Sequence, residues 1–188
     1  MVQMKPPREH GFWVMLFIAL AVGVGAAPGW LALLSAACLA LFSTGLAMWL
    51  GRRIRRNAWL QVLSGPSLAT LAVPIGVIGG ASLEKMLNLY LPVALVFLST
   101  TLAVQAILYR AQRKQSATQR AEYAALSVSF VAVLISLVWR PAGTIAAMVL
   151  CATFVTALHF LKPTARRLKH LGISVAIVQL GVACLLVL

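Results

Sequence analysis

The sequence predicts an all-α integral membrane protein. It reads as a single transmembrane domain over residues 1–188, a bundle of about seven helices with a cytoplasmic N-terminus and an outer C-terminus. Three observations carry this. First, 62% of the residues are hydrophobic and 10% charged, where soluble domains average about 45–50% and about 25%. Second, the apolar residues gather into runs near the ~20 residues that a spanning helix needs. Third, Lys and Arg alternate heavily from one gap between runs to the next.

The runs cover 11–27, 30–50, 58–79, 86–109, 121–139, 142–161 and 171–188. They are apolar all round, whereas barrel strands would alternate with a polar lumen face, so helices are the reading. The first run follows Lys5 and Arg8 and resembles the core of a secretion signal. It leads through Ala26-Ala27-Pro28-Gly29 straight into a second apolar run, and is read as a retained helix. Pro28-Gly29 predicts a tight turn and hence a hairpin of the first two helices. Gly51, just before an arginine run, is expected to cap the second helix. Pro66, Pro74 and Pro92 fall inside apolar runs and are expected to kink their helices, the third most of all. Ser116-Ala117-Thr118-Gln119 has the spacing of a capping box ahead of the fifth helix. Pro141 follows Arg140 at the turn into the sixth run, and Pro163 is expected to stop the sixth helix at Lys162.

The gaps orient the bundle. Of 16 basic residues, fourteen fall in alternate gaps: Lys5 and Arg8; Arg52, Arg53, Arg55 and Arg56; Arg110, Arg113, Lys114 and Arg120; Lys162, Arg166, Arg167 and Lys169. Only Lys85 and Arg140 fall in the others. The heavy side is cytoplasmic by the positive-inside rule. This explains the strongly basic balance without nucleic acid, which is excluded as a partner. The predicted partners are the lipid bilayer, anionic headgroups at the cytoplasmic face and other membrane subunits.

Chemistry is thinly represented. The acidic residues are Glu9, Glu84 and Glu122, and there is no Asp. Aspartate pairs for Mg²⁺, an Asp to orient a catalytic His, and a carboxylate cage for calcium are all excluded. Cys38, Cys151 and Cys184 stand singly in apolar runs and read as small buried hydrophobes. His10, His159 and His170 lie at predicted inner helix ends, a poor depth for haem held between helices. No metal and no cofactor is implied. No carboxylate sits at mid-membrane, where an ion-coupled transporter would place an ionisable group. Ser99-Thr100-Thr101 beside Gln105 is the one polar concentration inside a run.

The candidate site lies at the inner interface. Arg8, Glu9 and His10 precede the first helix, and are expected to pack near Glu122, His159 and Lys162, with Arg166 or Arg167 pairing with Glu9. Two uses fit: a structural latch, or a shallow polar pocket for an anion or headgroup.

The string Pro7-Arg8-Glu9-His10-Gly11-Phe12-Trp13 resembles the opening of the YwiC-like family of small bacterial multispanning proteins. The basic stretch from Arg110 to Glu122 and the segment from His159 to Lys169 look like the family's basic loops. The resemblance implies a bacterial inner-membrane protein. A weaker likeness, of topology alone, is to prenyltransferases of the UbiA type. Their chemistry needs two aspartate-rich motifs, and the second and sixth loops here carry arginines and lysines instead. The functional expectation is a non-catalytic membrane subunit or scaffold. The alternative is a carrier or binder of a small anionic or lipidic ligand through the basic cytoplasmic mouth.

Overall fold

The computed structural model describes residues 10–139, 142–163 and 168–187. Among them all regular structure is helical: α1 (His10–Ala26), α2 (Trp30–Arg56), α3 (Ala58–Ala69), α4 (Ala72–Ile78), α5 (Leu83–Ala111), α6 (Gln115–Trp139), α7 (Ala142–Leu161) and α8 (Leu168–Val187). Five stretches are long and apolar enough to cross a membrane: Trp30–Leu50, Trp59–Ile78, Leu83–Ala111, Gln115–Val138 and Gly143–Leu161. Two shorter apolar ones, Phe12–Ala26 and His170–Leu186, accompany them. The chain divides inside α5, at Tyr90/Leu91, into two compact units.

In the first unit α1 packs on α2, α3 and α4, and α2 on α3 and α4. Its core is built of small and branched residues, Ala19, Val22, Ala32, Ala72 and Ile75 among them, all fully enclosed. Small residues let backbones approach, which is how helices associate when lipid removes the hydrophobic contrast between packed and unpacked faces. Gly23 shows how close. A Cβ there would lie 2.8 Å from Ile75 Cβ and 2.9 Å from the Ala72 carbonyl oxygen. Gly79 approaches α1 in the same way, its missing Cβ falling 2.6 Å from the Ala27 carbonyl oxygen.

Pro74 explains why the third predicted helix is two. It has no N–H to give the Thr70 carbonyl, and its ring crowds that oxygen. The ladder tightens instead to three-residue steps, Leu71 N to Leu68 O at 3.1 Å and Val73 N to Thr70 O at 3.2 Å. Pro66 and Pro92 stay inside the continuous helices α3 and α5.

Two cap expectations are corrected. The α2 backbone runs through Gly51 to Arg56, so the arginine run is helical. The chain breaks at Asn57, whose side-chain oxygen accepts from Trp59 N at 3.0 Å and caps α3. A Gly costs only about 1 kcal/mol inside a helix, and an Asn with its own acceptor makes the better boundary. Likewise α6 begins at Gln115, not after the Ser116 box. The preceding turn is already closed by α5: Lys114 N donates to Tyr109 O and Arg113 N to Arg110 O, both at 3.0 Å. This is a Schellman ending with Arg113 in the left-handed region at φ 58°. The same pair of bonds closes α4, with Gly80 in that position at φ 102°. Lys162 is left-handed too, at φ 43°, and α7 ends there before Pro163 as expected.

Lys85 ties the first unit together at one end. Its Nζ donates to the Ala26 carbonyl at 2.8 Å, across 59 residues of sequence. It thereby caps the last turn of α1 with a positive charge, the sign that a helix C-terminus favours.

In the second unit α6 packs on α7 and α7 on α8. Gly143 lies against the Leu185 carbonyl and Gly181 against Leu150, an antiparallel pairing of α7 and α8. Within this unit α5 bonds to both α7 and α8 through polar side chains. Of the five long apolar stretches α5 is the most enclosed, 61% of its most apolar window being buried against 11% for α2.

Candidate functional site

The second unit buries two polar layers. The first lies midway along its helices. Gln179 of α8, 1% exposed, donates from Nε2 to Thr100 Oγ1 of α5 at 2.9 Å. Thr100 donates in turn to the Val96 carbonyl at 2.7 Å. One residue away, Ser99 Oγ and Cys151 Sγ of α7 lie 3.3 Å apart. Ser99, Thr100 and Cys151 are all buried. Ser99 and Thr100 of the serine–threonine run flagged in the sequence therefore form a three-helix junction, while Thr101 Oγ1 is buried with no hydrogen-bond partner. Cys151 takes part in the junction as a weak hydrogen-bonding group, beyond the plain small hydrophobe expected. Cys38 and Cys184 are exposed, so the expected burial holds for Cys151 alone.

The second layer lies at the end of the unit where α5 stops, α6 begins and α7 stops. Glu122, in the second turn of α6, is pincered. Its Oε1 takes the Arg110 Nη2 of α5 in an ion pair, and its Oε2 lies 3.3 Å from His159 Nδ1 of α7. The three side chains are 30%, 14% and 28% exposed for Arg110, Glu122 and His159. One carboxylate thus bridges three helices, at a depth where water screens it only partly. Two groups remain unsatisfied: Arg110 Nη1, and His159 Nδ1, whose approach to Glu122 lacks hydrogen-bond alignment. A buried polar group left without a partner costs about 1–3 kcal/mol, more when charged. With Glu122 both residues line a cleft of about 10 Å³, walled by Ala106, Ile107, Ala125 and Leu158. That is room for about one water-sized group.

The structure therefore unites two of the sequence-predicted residues, Glu122 and His159, and adds Arg110 as their third member. Lys162 stands nearby in sequence, exposed at the left-handed end of α7. Arg8, Glu9, Arg166 and Arg167 lie outside the described residues, as does the side chain of His10, so the expected latch of the N-terminus onto this cluster does too. Arg110 was legible only as a loop cation. The signal for more was that Glu122 is the sole carboxylate within reach of four basic residues across a short helical turn. Among the described residues, no three His, Cys, Asp or Glu side chains converge as a metal site.

Fold and site together define a class: an all-helical protein with membrane-length apolar helices, whose polar side chains join its own helices. Comparison with protein-family models, with curated proteins and with solved structures finds no match to the chain.

Proposed function

We propose that the protein is a seven-span component of a bacterial inner membrane, N-terminus inside and C-terminus outside, acting as a non-catalytic subunit or scaffold of a larger membrane complex. The span count is supported by joining α3 and α4 into one broken crossing. At 1.5 Å per residue, the 17 residues of α1 reach about 26 Å and the 20 of α8 about 30 Å. Both lengths suit a hydrocarbon core of ~30 Å. On α2 the exposed Trp30 and Trp49 stand about 28 Å apart along the axis. Exposed tryptophans at that spacing are the pattern of two interfacial belts. The orientation follows from the fourteen-to-two division of Lys and Arg.

One observation carries the scaffold reading. Two buried polar pairs inside the second unit bond helix to helix, Gln179 to Thr100 and Ser99 to Cys151. A carrier instead turns such groups toward a pathway. The apolar outer face of α2, with Trp30, Leu33, Leu41, Phe42 and Trp49 exposed, is a surface for lipid or for another membrane helix.

Purification in a mild detergent with mass spectrometry tests the role. Stoichiometric co-purifying subunits support the scaffold. A protein that runs alone and retains a bound anionic or lipid ligand supports the carrier. Reporter fusions after Arg113 and at Leu188 test the topology: a cytoplasmic signal from the first and an outer signal from the second are expected. A cytoplasmic signal at Leu188 defeats the orientation.

A further inference from the structure

The cleft beside Arg110 combines features that the ion pair by itself leaves unexplained. Arg110 has five N–H donors in a planar fork, and the pair with Glu122 occupies Nη2. Nη1 is buried with nothing to bond, and His159 Nδ1 beside it is equally orphaned. The cleft that both residues line together with Glu122 admits one oxygen-sized group. Exposed cations stand close to it in the chain: Arg113 and Lys114 in the turn after α5, and Lys162 at the end of α7. Arg113 and Lys162 hold left-handed positions where glycine is favoured, so charge is kept there at a conformational cost. Glu122 is the sole described acid at this end.

We propose that Arg110 and His159 form a seat for one oxygen of a phosphate group, the remaining oxygens staying at the rim among the cations. A tetrahedral phosphate suits this division. One oxygen enters the cleft and takes the Nη1 donor, as guanidinium–phosphate pairs do. The others remain where basic side chains and water reach them. A cation is disfavoured as the ligand, since the one carboxylate of the cluster is already paired with Arg110 and the surrounding exposed charges are basic. Two sources carry the same chemistry: the headgroup of an anionic phospholipid at the membrane surface, and a free phosphate. The inference rests on reading this end of the second unit as interfacial, not on the scaffold role. It is tested on the isolated protein, so the two readings fail separately.

The test is a titration of delipidated protein in a maltoside detergent, followed by thermal midpoint and by adducts in native mass spectra. Three probes are compared: short-chain phosphatidylglycerol, inorganic phosphate, and short-chain diacylglycerol, which lacks phosphate. Phosphatidylglycerol is expected to raise the midpoint and to leave a single adduct, and diacylglycerol to do neither. Arg110→Lys keeps the charge opposite Glu122 but loses the fork, and should weaken binding about tenfold. Glu122→Gln should start from a lower midpoint yet bind phosphate more tightly, because the guanidinium loses its competing carboxylate. A purely structural pair predicts loss of stability without gain of affinity. Arg120→Gln, on the same end but off the cleft, should change affinity less than about threefold, as the loss of one screened surface charge does. Stabilisation by phosphatidylglycerol alone assigns the headgroup, and equal stabilisation by inorganic phosphate assigns the free ion. The seat is overturned if Arg110→Lys and Arg120→Gln weaken binding equally. It is overturned too if Glu122→Gln binds more weakly, or if diacylglycerol matches the phospholipid. Should Arg110→Lys not fold, the tighter binding expected of Glu122→Gln, against the near-unchanged binding of Arg120→Gln, still decides.

Discussion

Gly23→Ala adds one methyl group where α1 meets α4, and the structure allows its effect to be sized. The new Cβ would lie 2.8 Å from Ile75 Cβ, 2.9 Å from Ile75 Cγ2 and 2.9 Å from the Ala72 carbonyl oxygen. Carbon atoms sit comfortably at about 3.5–4.0 Å. Relief therefore requires a retreat of roughly 1 Å, and the obstacles are a β-branched side chain and a backbone. Neither swings aside as the tip of a methionine would. Overpacking of this kind costs about 1–3 kcal/mol, and the rigid neighbours place Gly23 near the upper end. Alanine returns about 1 kcal/mol of helix propensity. The net expectation is a loss of about 1–2 kcal/mol. Unfolding in detergent, followed by circular dichroism and tryptophan fluorescence, measures it. Gly45→Ala in α2 is the matched control, because a Cβ there meets nothing within 4 Å. It should stabilise by up to about 1 kcal/mol. If both substitutions shift stability in the same direction, the close approach of α1 and α4 is not what keeps Gly23 a glycine.

Three further outcomes are expected. Thr100→Val with Gln179→Leu, in a double-mutant cycle, should show a coupling of about 0.6 kcal/mol and at most about 1.7, the average and the maximum measured for hydrogen bonds between membrane helices; a coupling of zero would mean that the two side chains do not bond. Lys85→Met should lower the unfolding free energy by about 1 kcal/mol through loss of the α1 cap. Lys85→Arg should recover part of this, and equal loss in both variants would mean that the positive charge is not what stabilises this end. Arg113→Gly should raise stability by about 1 kcal/mol as left-handed strain is relieved; if it lowers stability, the side chain holds the turn through contacts of its own. Thermal unfolding in the same detergent reads the last two.

Much of the architecture was legible because the bilayer imposes simple demands. A run of twenty apolar residues has few ways to satisfy its backbone in lipid, so the predicted 30–50 and 142–161 match α2's apolar part and α7 almost to the residue. Boundaries slipped where helices run on past the apolar stretch. Nothing in the hydropathy of Arg52 to Arg56 marks them as helical, since a helix leaving the membrane satisfies its own carbonyls whatever its side chains are. The start of α6 slipped similarly, because the turn chemistry of Arg113 and Lys114 is unreadable where charge, not glycine, occupies the left-handed position.

The site divides along the same line. The sequence by itself determined that there is no aspartate and that Glu122 stands among cations, which leaves out chemistry that needs paired aspartates. Three-dimensional packing decided the rest. It chose Arg110 among the basic residues near Glu122, because the end of α5 lies against the second turn of α6. It brought His159 Nδ1 to 3.3 Å from the other carboxylate oxygen, because α7 returns to the same end. It paired Thr100 with Gln179 across 79 residues of sequence. Hydropathy specifies that each helix exists, through its exchange with lipid. Which polar side chains meet depends on rotation and depth of one helix against another, and in apolar sequence those are set by small residues such as Gly23 and Gly143, through packing that no single stretch of sequence contains.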